Sequence, residues 1–88
     1  MSSYNFYIII KGGYKLNIYS KNIYEIIKNN QKRHILIIYN ISDNHYVGLT
    51  CHNKNLNNYT YIDSIKKFVD IEDLQEYSKK DIKRFSLQ

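Results

Sequence analysis

The chain has 88 residues, 43% of them apolar and 15% aromatic, and a formal net charge of +5. That length supports one core and not two, so a single domain spanning residues 1–88 is expected. No apolar run nears the roughly 18 residues of a membrane span, and residues 1–5 lack the charged and then apolar plan of a secretion signal. Cys51 is the only cysteine, which excludes an internal disulfide and a cysteine-rich zinc site. The expectation is therefore an intracellular protein that engages no membrane and holds no metal or cofactor.

Ile, Asn, Lys and Tyr supply 15, 11, 11 and 10 residues, while Ala and Pro are absent. The enriched residues use A/T-rich codons and the missing ones G/C-rich codons. This skew marks a genome, such as that of a virus, a phage or a low-GC bacterium, before it marks any chemistry.

In chain order, residues 4–10 are β-branched and aromatic, and residues 14–20 repeat that character after Lys11-Gly12-Gly13. Two such runs around a Gly-Gly turn predict a hairpin. In the first run Phe6, Ile8 and Ile10 face one way, and Tyr7 and Ile9 the other. A short helix is expected near 22–29, from the apolar spacing of Ile23, Ile26 and Ile27 and an Asn22/Glu25 capping box, with Asn29-Asn30 as its stop.

The run His34–Tyr39 is apolar on both faces and reads as a central strand. A turn at 41–44 leads into a second strand, His45–His52, and residues 59–62 read as a short edge strand. The closing segment, 70–85, predicts a helix capped by Asp70. Its stripe is Ile71, Leu74, Tyr77, Ile82 and Phe85, with acids early and Lys79, Lys80, Lys83 and Arg84 late, the order that a helix dipole favours. The expected class is α+β: a mainly antiparallel sheet of four to five strands in ββαββ(β)α order, with helices against it.

The charge is uneven. Residues 1–35 hold Lys11, Lys15, Lys21, Lys28, Lys32 and Arg33 against Glu25 alone, whereas bases and acids cancel over 36–62 and over 63–88. A basic hairpin interleaved with Tyr4, Tyr7, Tyr14 and Tyr19 suits two partners. Tyrosine offers amphipathic contact area to a protein, and it offers a stacking face to an unpaired base beside lysines that attract phosphate. The binding residues expected are Tyr7, Lys11, Tyr14, Lys15, Tyr19 and Arg33. A second copy of the chain is a further candidate for the tyrosine face.

Nucleophilic chemistry has two candidates, His34 and Cys51. A tight turn at 41–44 that sets residue 40 against 45 would place 34 against 51, making them cross-strand neighbours roughly 5 Å apart. An activated thiolate needs such an imidazole, but also an oxyanion hole and a group to orient the histidine. The sequence assigns neither. A lone cysteine on an apolar strand face ordinarily acts as a small buried hydrophobe, and the chain is read as a non-enzyme.

Residues 15–49 bear a resemblance to one region of a known family. The strand-like run KLNIYS at 15–20, followed by HILIIYNISDNHYVGL at 34–49, resembles the catalytic-histidine hairpin of OTU-type cysteine peptidases. The resemblance implies a general-base role for His45 and a peptidase-like remnant. The family's nucleophile block is absent, and Val47 stands where the family commonly has an orienting Asn or Asp.

The reading that follows is a small non-enzymatic binding protein of a virus, phage or mobile element. It would engage a host or defence protein through a Tyr/Lys-rich sheet surface. A nucleic-acid-binding domain using the basic hairpin is the alternative.

Overall fold

The computed structural model describes residues 7–85, and among them there is no α-helix. The strands are β1 (Tyr7–Ile9), β2 (Lys15–Asn17), β3 (Ile23–Lys28), β4 (Gln31–Ser42), β5 (His45–His52), β6 (Thr60–Ile62), β7 (Lys67–Ser78) and β8 (Ile82–Phe85). β1 and β2 pair as a separate two-stranded ribbon. The other six form one antiparallel sheet in the order β6-β7-β5-β4-β3-β8. The expected α+β class is corrected to all-β, and both expected helices are strands.

The helix expected near 22–29 is β3 followed by a turn. Its residues are rich in Ile, whose branched side chains are stiff at χ1 and suit a pleated strand. Ile23 and Ile26 are both buried but in different clusters, Ile23 with Leu16 and Leu36, and Ile26 with Ile35 and Ile37. A strand covered on both faces buries side chains of either parity, so a three-residue interval imitates a helical stripe. Asn29 and Asn30 then take left-handed backbone, φ 54° and 62°, and connect β3 to β4 where Lys28 pairs with Gln31. Two successive positive φ angles define the I′-type turn that matches strand twist, and Asn tolerates it. Glu25 does not cap a helix. It lies across from His34 and pairs with Lys32 Nζ at 3.2 Å.

The helix expected over 70–85 is β7, a 3-10 turn at Lys79–Asp81, and β8. Ile71 and Leu74 pack against one cluster, Tyr77 and Ile82 against the other. The near-helical spacing comes from a wide bulge. Leu49 pairs with Leu74 while Cys51 pairs with Val69, so β7 moves five residues as β5 moves two. Asp70 serves that bulge, its carboxylate accepting the Glu72 backbone N–H at 3.0 Å.

The Gly-Gly ribbon stands as expected over the described residues; the expected start of its first strand, residues 4–6, lies outside them. Gly12 and Gly13 take φ of +77° and +79°, and the turn is held by bonds from Ile10 N to Tyr14 O (2.8 Å) and from Gly13 N to Ile10 O (3.0 Å). The β4–β5 hairpin is longer than expected, with Ser42 opposite His45. Bulges after Ile37 and after Asn40 absorb the difference, so Ile35 still faces Thr50 and Leu36 faces Leu49. His34 and Cys51 each stand one residue beyond the Ile35–Thr50 pair, where the register ends.

The sheet curls. β7 and β8 are four positions apart, about 19 Å in a flat sheet at ~4.8 Å per strand, yet they are joined by only the three residues 79–81 in a 3-10 turn. The short connection closes only if the sheet rolls up, and it seats Tyr77 of β7 with Ile26 of β3. Inside the roll lies the cluster Ile26, Ile35, Ile37 and Tyr77, with Tyr24, Tyr46 and Ile82 against it. Outside it, Leu16 of the ribbon, Ile10, Ile62 and Ile65 cover Ile23, Leu36, Leu49 and Val69. Gly48 lies at the tightest point, where an added Cβ would come 2.5 Å from Ile35 Cγ2 and 2.9 Å from the Leu36 carbonyl oxygen.

Candidate binding surfaces

The ribbon is too short to stand alone and is fixed at two places. Leu16 is fully buried in the outer cluster. Beyond β2, the Ser64 hydroxyl donates toward the carbonyl oxygens of Ser20 (2.8 Å) and Ile18 (3.1 Å). With Leu16 turned inward, the opposite face carries Tyr7 across from Asn17 and Ile9 across from Lys15. Tyr7 is 36% exposed and Ile9 60%. Lys15 Nζ lies 4.7 Å from the centroid of the Tyr7 ring, a cation–π contact that fixes both side chains. Lys11 is exposed at the turn, and Tyr19, 60% exposed, follows β2.

Four of the six expected binding residues therefore share one region: Tyr7, Lys11, Lys15 and Tyr19. Tyr14 does not present its ring in the same way. It packs on the outer cluster, with Tyr39 at 5.4 Å between centroids. Arg33 is on the far side of the sheet. It pairs with Ile26, belongs to the inner face and donates to Gln31 Oε1 at 3.0 Å. No single surface holds all six.

Cys51 and His34 do line one cavity, of about 410 Å³, together with Lys32, Arg33, Thr50, His52 and Asp73. The thiol is poorly suited to attack. Burial pushes its pKa up to about 12, against smaller lowering effects from Lys67 and from the Leu36 backbone. A thiol that holds its proton at neutral pH is not a nucleophile, and its hydrogen points to the Leu49 carbonyl oxygen, 3.9 Å away. His45, the histidine singled out by the peptidase resemblance, is exposed at the start of β5 across from Ser42, six residues from Cys51 along the strand. Among the described residues no cluster of three His, Cys, Asp or Glu side chains could hold a metal.

A different constellation went unseen in the sequence. His52 of β5 pairs with Phe68 of β7, and Phe68 with Tyr61 of β6. Residues in register share a face, so three rings stand in a row across three strands. The Tyr61 and Phe68 centroids are 4.9 Å apart, and Tyr59 stacks on His52 at 4.4 Å with 12° between planes. Tyr61 is 48% exposed and the other three rings are half-buried. Arg33 and His52, each two residues beyond the last β4–β5 pair, Ile35 and Thr50, both line the 410 Å³ cavity. The row needs β7 to lie between β5 and β6, an order that no local pattern announces.

Among the described residues, no helix is long and apolar enough to cross a membrane. Compared with protein-family models, curated proteins and solved structures, the chain finds no match.

Proposed function

We propose that the protein is a non-enzymatic binding module whose ribbon docks against an acidic surface of a partner protein. The observation that carries this is the outward face of β1 and β2, where Tyr7, Ile9 and Lys15 stand together while Leu16 anchors the ribbon from beneath. Large apolar groups held in place beside a lysine are hot-spot material, because little side-chain freedom remains to be lost on docking. Lys11, Lys15 and Lys21 are all exposed here. Glu25, the sole acid in residues 1–35, is engaged by Lys32. The complement of such a face is acidic.

The raised thiol of Cys51 supports a binding role over a cysteine-peptidase one. The A/T-rich residue usage supports a viral, phage or other mobile-element gene, with a host or defence protein as partner.

The test compares wild type with Lys15→Glu and Ile9→Ala, and with Leu56→Ala as an exposed control distant in sequence. Proteins retained from host extract are quantified, and the retained species is then purified and titrated. A partner lost with both ribbon variants, kept with the control and released by salt supports the proposal. Equal retention by all four proteins overturns it.

A further inference from the structure

We propose that the ring row formed by Tyr61, Phe68 and His52, with Arg33 beside it, is a second binding site, and that it takes an unpaired nucleotide of single-stranded nucleic acid. This site is independent of the ribbon and stands on other residues.

Three observations converge on it. The rings come from three adjacent strands, so their spacing is the strand spacing, about 4.8 Å, as the 4.9 Å between Tyr61 and Phe68 shows. A sheet face lined with aromatic rings is a platform on which any base can stack, because every base has a π-face. Beside the rings is the 410 Å³ cavity, in the size range of small-ligand sites. A phosphate could be met there by Arg33. Arg33 donates to the neutral Gln31 and makes no ion pair among the described residues, so its charge is available.

Of the acids near the cavity, Glu25 is paired with a lysine, whereas Asp73 is held by neutral donors and keeps its charge. Asp73 accepts from Thr50 (2.8 Å) and from Gln75 (2.6 Å), and Glu25 holds Lys32.

Tyr61 is tilted 58° to Phe68, and His52 is already stacked by Tyr59, so the exposed Tyr61 ring and the cation specify what fits: a planar aromatic group joined to an anion. The row continues across three strands and ends at an exposed ring, which suits a strand laying successive bases more than an isolated nucleotide. A duplex keeps its bases stacked on one another and offers the rings nothing.

The test is fluorescence anisotropy with labelled 12-nucleotide oligo(dT) and oligo(rU), at low and at physiological salt. Wild-type protein is expected to bind with a clear salt dependence. Tyr61→Ala and Arg33→Gln are each expected to weaken binding about five- to tenfold or more, on the order of one lost stack or contact. Tyr61→Leu, which keeps apolar bulk and so protects the fold, should weaken it as Tyr61→Ala does, while Lys15→Glu and Ile9→Ala should retain most of the affinity. Absence of binding at low salt overturns the proposal, as does equal affinity for a duplex. Binding lost with the ribbon variants and kept with Tyr61→Leu would also overturn it, by moving the nucleic-acid site to the ribbon.

Discussion

Thr50 donates its hydroxyl to the Asp73 carboxylate at 2.8 Å, tying the middle of β5 to the bulge of β7. Thr50 also lies beside Tyr77, the buried ring of the inner cluster. Thr50→Val keeps the shape and removes the donor. It should lower stability by about 2 kcal/mol, since a hydrogen bond to a charged group is lost inside the roll. Urea denaturation measures this, and Thr50→Ser should recover most of it. An unchanged midpoint in Thr50→Val would show that the bulge does not need the bond.

Stability should fall at high pH through Cys51. Its folded pKa is raised to about 12 from an ordinary 9.0, chiefly by burial. The unfolded chain therefore releases this proton first. The stabilisation is complete below pH 9 and is lost as the pH rises toward about 12, with a limiting slope of about 1.4 kcal/mol per pH unit. Tyr77, also raised by burial, adds to the loss in the same direction. Urea titrations across pH 8–11 should show a smaller decline in Cys51→Ala than in wild type. The folded protein should also resist iodoacetamide at pH 8 and react once unfolded; rapid native alkylation would restore the thiol as a candidate nucleophile.

Gly48→Ala should be costly. Its Cβ would sit 2.5 Å from Ile35 Cγ2, with the Leu36 carbonyl oxygen 2.9 Å away, and backbone cannot yield as a flexible side chain can. About 1–3 kcal/mol is the usual cost of such overpacking. Thermal denaturation checks it, and a wild-type melting temperature would mean that the curl opens more easily than its packing implies.

The Asn29-Asn30 turn gives an opposite pair of outcomes. Asn30→Gly should leave stability equal or improved, because Gly takes φ of 62° without strain. Asn30→Val should destabilise by about 1–2 kcal/mol, the cost of left-handed backbone for a residue with a branched Cβ. Similar melting temperatures for the two variants would argue that the turn is not locked in this conformation.

Two of the hairpins between chain neighbours were legible, whereas β3–β4 and β6–β7 were hidden by the expected helices. The Gly-Gly ribbon and the β4–β5 hairpin both follow from alternation and turn residues, which act over a few positions. The two expected helices failed for one physical cause. In a sheet covered on both faces, Ile23 and Ile26 or Leu74 and Tyr77 are buried on opposite sides, and bulges shift the phase further. Helical spacing then arises without a helix. Site residues were legible to the same extent. Tyr7, Lys11, Lys15 and Tyr19 share the ribbon region because they are close in sequence, while Arg33 was grouped with them by charge alone. The ring row was out of reach, since His52, Phe68 and Tyr61 meet only through a non-sequential strand order.

The pairing of β3 with β8 has a consequence for the order of events during synthesis. Tyr24 finds its partner Phe85 only 61 positions later, so one edge of β3 has no neighbour while nearly all the rest of the chain is being made. Contacts so distant in sequence carry a large loop-closure cost and slow the final step. The central hairpins can form as they emerge, but the inner cluster cannot seal until Ile82 arrives, which makes β8 the latch of the whole molecule.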